Sequence, residues 1–165
     1  MELNSLPANA AESQLLKCCG STQWAQRMVA ARPFKSLLQL IEESERIWWS
    51  LDPADWLEAF HSHPKIGEKK AAATVAREAQ QWSEAEQASV REASAETTAA
   101  LGALNETYER KFGYIFIVCA TGKSSEEMLA ILRERLPHDK DEELRIAAAE
   151  QAKITELRLR KLLST

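Results

Sequence analysis

This chain of 165 residues has little of what punctuates or cross-links a polypeptide: five Gly, five Pro and three Cys. So few Gly and Pro exclude a collagen-like or low-complexity chain, and with 45% hydrophobic residues the composition is that of one globular domain able to bury a core. Cys18 and Cys19 are neighbours that do not easily bridge, and Cys119 stands alone in an apolar run. A disulfide framework is therefore not expected, and buried thiols in a reducing compartment are. Charge of one sign is also missing. The net charge of -4 is interleaved along the chain, leaving no basic stripe for a phosphate backbone, so nucleic acid is not an expected partner. Nor is there a long apolar run. No segment approaches a membrane span, and Met1 to Gly20, interrupted by Glu2, Glu12 and Lys17, lacks the basic start and apolar core of a secretory signal. A cytoplasmic protein with no membrane partner is expected.

What is present is helical periodicity. Ser21 is placed to cap a first well-marked helix that must stop before Arg32-Pro33, because the residue preceding proline is pushed out of the α region. A second helix is predicted from about Phe34 to Trp49, with Leu37, Leu38, Ile41, Ile47 and Trp48 on its apolar side and Glu42, Glu43, Glu45 and Arg46 on its wet side. Asp52-Pro53 opens a short helix carrying Trp56, Leu57 and Phe60 that ends at His63-Pro64. Between Pro64 and Pro137 there is no proline. The longest helix is expected from Ser83 to about Lys111, stopped by Gly113. Tyr114 to Ala120 resembles a strand, but no convincing second strand exists to pair with it, so a buried extended connection or a helix start is expected. Ser124 caps a helix through about Leu136, and Asp141 to Leu163 forms the last. The fold class is thus all-α, a multi-helix bundle in one domain spanning 1–165, without repeats or linkers.

Chemistry concentrates at His63-Pro64 and, some twenty residues on, Ser83-x-x-Glu86-Gln87, which set an imidazole, a hydroxyl, a carboxylate and a carboxamide at helix edges. Ser83-x-x-Glu86 also reads as a capping box. On a helical projection Ser83, Glu86, Val90, Thr97, Leu101, Leu104 and Tyr108 share one stripe, which turns this acid toward the core. A carboxylate facing apolar neighbours loses hydration and holds its proton more tightly unless paired, which is how general acids are made. In the last helix Arg158 projects into the face of Leu144, Ala147, Ala148, Ile154, Leu157, Leu159 and Leu162. It either pairs with a buried acid, Glu86 being its best partner, or grips a planar anionic ligand through two bonds. His61 and His63 do not share a helix face, and no Cys or carboxylate completes a ligand set, so no metal site is expected. The run Lys65, Glu68, Lys69 and Lys70 reads as a solvated loop, and Trp48 and Trp49 as core or subunit contact.

With His63-Pro64-Lys65-Ile66-Gly67, Ser83-x-x-Glu86-Gln87, Tyr108-Glu-Arg-Lys-Phe-Gly113-Tyr and Leu157-Arg158-Leu159 in view, the chain closely resembles the 2-oxo-4-hydroxy-4-carboxy-5-ureidoimidazoline (OHCU) decarboxylases of urate degradation. Trp24 before Arg32-Pro33-Phe34, and the Arg133 to Leu136 helix end leading into an acidic linker, agree as well. The resemblance implies an all-helical, cofactor-free, homodimeric lyase that turns OHCU into (S)-allantoin. Carried over by position, it makes His63 the catalytic acid/base and Glu86 a substrate-binding residue, which on the chemistry of the reaction is also expected to steady His63 as a catalytic partner. Pro64, Ser83, Gln87 and Arg158 bind substrate, and the segment Phe116, Ile117, Val118, Cys119 and Ala120 offers its main chain to the substrate ring. Two departures stand out: Ile115 replaces a frequent proline, and His138 a common asparagine. Two rivals remain, a non-catalytic interaction protein in which Glu86 and Arg158 satisfy each other, and a metal-dependent lyase using His61 and His63.

Overall fold

The computed structural model describes residues 1–64, 77–86 and 94–164, and over these the regular structure is helical, with no strand. After a 3-10 turn at Glu2–Asn4, α1 spans Ala8–Cys18, α2 Thr22–Ala30, α3 Leu37–Trp49, α4 Pro53–His61, α5 Arg77–Glu86, α6 Ala95–Phe112, α7 Ser125–Arg135 and α8 Lys140–Leu162. Among the described residues no helix is long and apolar enough to cross a membrane. The all-α class expected from periodicity is the one observed. The chain forms two compact units, Met1–Ala59 with Gln151–Thr165, and Phe60–Glu150.

In the first unit the Ser21 hydroxyl accepts from the Trp24 amide at 3.2 Å and caps α2, satisfying one of the donors that a helix start leaves open. The Trp24 indole is fully buried and donates to the Ser44 carbonyl of α3 at 3.2 Å, so a single aromatic both fills the core and fixes its own polar atom. Helix α1 was not anticipated. Its signal is modest, Ala11, Leu15 and Cys18 at spacings of four and three, and all three are buried. Helix α3 begins at Leu37, not Phe34, because the Ser36 hydroxyl accepts from the Gln39 amide at 3.1 Å. Its buried side is Leu40, Ser44, Ile47 and Trp48, so Ile47 and Trp48 lie as expected, whereas Leu38, also expected on the apolar side, is 64% exposed. The true stripe was masked by a serine standing in the middle of it. All three cysteines are free and buried, and burial pushes the Cys19 thiol up to about 12.

The second unit contains the larger correction. Ser83 does not open a helix; it lies inside α5, six residues after Arg77, so the capping-box reading fails. Nor does one helix run from Ser83 to Lys111. Ser94 has extended backbone and caps α6, its hydroxyl accepting from the Thr97 amide at 3.2 Å. Ser94-x-x-Thr97 offers the same local bond that Ser83-x-x-Glu86 had suggested. Gly113 ends α6 as expected, in the left-handed region at φ 85°, its amide bonded to the Glu109 carbonyl at 2.8 Å. Beyond it the chain to Ala120 is irregular, neither strand nor helix, and all but Gly113 and Ile115 are buried. Of the two expectations for this segment, the buried connection is the one realised. Ser124 caps α7 through the Glu127 amide at 3.2 Å, and Asp139 accepts from the Glu142 amide at 2.8 Å at the start of α8.

Two stability measurements check this assignment. Leu40→Ala should cost about 2–5 kcal/mol of unfolding free energy in urea titration, whereas Leu38→Ala should fall within about 0.5 kcal/mol of the parent. Ser94→Ala should cost about 1 kcal/mol through loss of the α6 cap; a neutral result would mean that α6 does not start there.

Candidate active site

The end of α4 is dictated by Pro64, whose ring cannot continue a helix. His63 therefore sits on the bend just past the last turn, half-buried like Pro64, with its amide bonded to the Phe60 carbonyl at 3.2 Å. One turn earlier the Phe60 ring packs on Tyr114 with centroids 5.2 Å apart. The corner that carries His63 is thereby held against the start of the buried segment. Across α5, Ser83 and Glu86 are one turn apart and share a face; Ser83 is buried and Glu86 half-buried. The pKa of the Cys119 thiol is raised first by burial, then by the charges of Glu150 and Glu86. The charge of Glu86 thus acts on Cys119, within Phe116–Ala120. The α4 corner, the α5 face and the irregular segment belong to one unit. Gln87 and the Lys65-Ile66-Gly67 part of the motif lie outside the described residues.

Arg158 is carried by the first unit. It is 4% exposed, so the inward orientation expected from helical projection is correct. One of its Nη atoms donates to the Lys17 carbonyl at 3.4 Å, and its charge opposes the rise that burial imposes on Cys19. A guanidinium presents its five donors as a planar fork, the geometry that matches a carboxylate or other planar polar group.

Sequence reasoning missed the polar groups that hold the irregular segment. The Arg135 Nη1 donates to the Ile117 carbonyl at 2.7 Å, and its Nε donates to Glu143 Oε1 at 2.7 Å. The Tyr108 hydroxyl donates to the same oxygen, while His138 Nδ1 lies 3.0 Å from the other, Oε2. The Arg135 guanidinium also lies over the Phe116 ring, 4.7 Å from its centroid. Glu143 is fully buried and Arg135 4% exposed. Further along, Glu150 Oε1 accepts from the Cys119 amide at 3.4 Å, and the Lys123 Nζ donates to the Cys119 carbonyl at 2.7 Å. A signal was available for part of this: Glu143, Ala147, Glu150, Ile154 and Arg158 fall on one stripe of α8 by their spacing, so the inward-facing polar set extends well beyond Arg158.

Comparison with known proteins gives the assembly its context. Residues 4–160 match the family model described as OHCU decarboxylase. The 2-oxo-4-hydroxy-4-carboxy-5-ureidoimidazoline decarboxylase of Haloferax volcanii is 33% identical over 135 residues, 82% of this chain and 77% of that protein. The uric acid degradation bifunctional protein TTL of Arabidopsis thaliana is 38% identical over 93% of this chain, which spans only 47% of that longer protein. Among solved structures, a crystal structure of OHCU decarboxylase in the presence of (S)-allantoin superposes with a TM-score of 0.79 at 37% identity, covering 93% of this chain and 99% of the other. A family model matched from residue 4 to residue 160, together with that fold, means that this chain belongs to the OHCU decarboxylase family.

Proposed function

We propose that this protein decarboxylates OHCU to (S)-allantoin in urate degradation, without a cofactor, and that His63 and Glu86 carry the proton transfers. The observation that carries the reading is the match over residues 4–160, joined to the motif residues His63, Pro64, Ser83 and Glu86 that give the chain its resemblance. The chemistry suits these residue types. As the C4–carboxylate bond breaks and carbon dioxide leaves, the electron pair passes to C4–C5 and on to the ring nitrogen of the neighbouring C=N bond. The substrate thus holds its own electron sink. The C4 hydroxyl gives up its proton, while C5 and the ring nitrogen each gain one, so that one proton is taken from solvent overall. In this reading His63, steadied by Glu86, removes the hydroxyl proton and delivery to one face of C5 sets the hand of the product.

Ser83, Gln87 and Arg158 are assigned to the polar groups of the substrate, Pro64 to the wall of the site, and the main chain of Phe116–Ala120 to the ring. The burial of Arg158 supports its part, because a desolvated guanidinium binds a carboxylate or ureido group more strongly than an exposed one. A homodimer in the cytoplasm belongs to the same reading. The free state of all three cysteines is what a reducing compartment maintains, and the exposed Leu38 and Trp49 of α3 are apolar surface suited to a subunit contact.

Circular dichroism of freshly generated OHCU tests the activity directly, since spontaneous decay gives racemic allantoin. A rapid single-handed signal with the protein is expected, unchanged by a chelator; a racemic product at the uncatalysed rate refutes the reading. His63→Asn should lower kcat/KM by about two orders of magnitude or more while far-UV dichroism and Tm stay near the parent values. Arg158→Lys should raise KM about tenfold or more, because the ammonium cannot reproduce a two-bond grip.

A further inference from the structure

We propose that Arg135, Glu150 and Lys123 are positioning residues that set the main chain of Phe116–Ala120 for substrate, with Glu143 fixing Arg135; this rests on the reading above, in which that main chain contacts the substrate ring. A buried irregular segment has no ladder or helix to satisfy its peptide groups, and its path is decided by whatever partners they find. Here the partners are charged side chains reaching in from outside the segment. The Ile117 carbonyl is taken by Arg135 at the end of α7, at 2.7 Å. Two residues on, both backbone polar groups of Cys119 are held: its amide by Glu150 of α8 at 3.4 Å and its carbonyl by Lys123, in the turn before α7, at 2.7 Å.

Each peptide group is planar, so holding the Ile117 carbonyl, the Cys119 amide and the Cys119 carbonyl fixes one atom in each of the three consecutive planes 117–118, 118–119 and 119–120. The Arg135 fork is itself fixed. Glu143 receives it together with the Tyr108 hydroxyl, and its second oxygen meets His138. The Phe116 ring lies under the same guanidinium, which adds a face-on contact that a lysine ammonium reproduces less well. None of the three clamping side chains matches a motif residue of the proposed site. Their role is to hold backbone that does.

The test compares kinetics with folding on the full chain. Arg135→Lys keeps the charge toward Glu143 but cannot span Glu143 and the Ile117 carbonyl together. Lys123→Gln removes the ammonium that holds the Cys119 carbonyl, from a partly exposed position, and secures the test should the first variant fail to fold. Steady-state parameters are measured by the dichroism of allantoin formation at a temperature where far-UV spectra show each variant fully folded. The expected result is a KM raised about tenfold or more for Arg135→Lys and about threefold for Lys123→Gln, with kcat changed less, since small displacements of a binding surface are costly. A lowered Tm with unchanged KM in both variants would show the clamp to be structural only and overturn the proposal while leaving the decarboxylase reading intact. A parent protein without stereospecific activity overturns that reading, and the proposal with it.

Discussion

The requirement on which this structure turns is that seven residues, Tyr114 to Ala120, run through the interior of the second unit without regular hydrogen bonding. Each unsatisfied peptide group there would cost about 1–3 kcal/mol, so the unit is obliged to bring polar side chains inside. Bringing in Arg135 alone would bury a bare cation, and bringing in Glu143 alone a bare anion, either being worse than the problem it solves. The two arrive together, sharing Tyr108, whose phenol is held far above its ordinary pKa first by burial and then by the bond to Glu143. That shift favours the protonated phenol, which is the form that donates to the Glu143 carboxylate. Aromatic packing completes the surround: Tyr108 meets Phe112, Tyr114 and Phe116 with centroids 4.6, 6.0 and 5.5 Å away.

Such an arrangement suits a reaction in which the protein has little covalent chemistry to perform. A substrate that carries its own electron sink asks for orientation of the breaking bond and for well-placed proton carriers. Irregular backbone is useful for the first task because its amides and carbonyls are free of ladder geometry and can be aimed individually, provided something rigid aims them. In the proposed reading the second task falls to His63, which stands where Pro64 forces α4 to stop, and to Glu86, one turn beyond Ser83 on α5. The sharp stop and the buried irregular chain are both departures from regular structure, and the Phe60–Tyr114 ring contact joins them.

Much of this was legible in the residues, and the failures have identifiable causes. Helix ends marked by a side chain that bonds locally, Ser21, Ser124 and Gly113, were read correctly because cap chemistry acts within four residues. The start of α6 was missed for the same reason: Ser83 and Ser94 offer the same local cap chemistry, and Ser94 is the one that caps this helix. The inward side of α3 was read correctly at Ile47 and Trp48 and misread at Leu38, which faces out though apolar, while Ser44 takes a buried position. The polar ring around Ile117 and Cys119 was not legible at all as an ensemble. Lys123, Arg135, Glu143 and Glu150 are ordinary surface residue types, and what draws the last three inside, with Lys123 partly exposed beside them, is the irregular path of residues 114–120, which no periodicity encodes.

The two departures from the family pattern fall on either side of this same feature, and the structure gives one of them a physical role. His138 stands where the resemblance leads one to expect asparagine, and its Nδ1 meets Glu143 Oε2 at 3.0 Å. A carboxylate oxygen only accepts, so Nδ1 must carry the hydrogen. An asparagine carboxamide offers a donor of the same kind, which makes the exchange conservative at the level that matters, the number of hydrogens delivered to a buried carboxylate. Ile115 for proline works in the opposite sense. It restores an amide hydrogen and frees φ just before the clamped peptides begin, so here the path of the segment depends less on its own covalent stiffness and more on the side chains that grip Ile117 and Cys119.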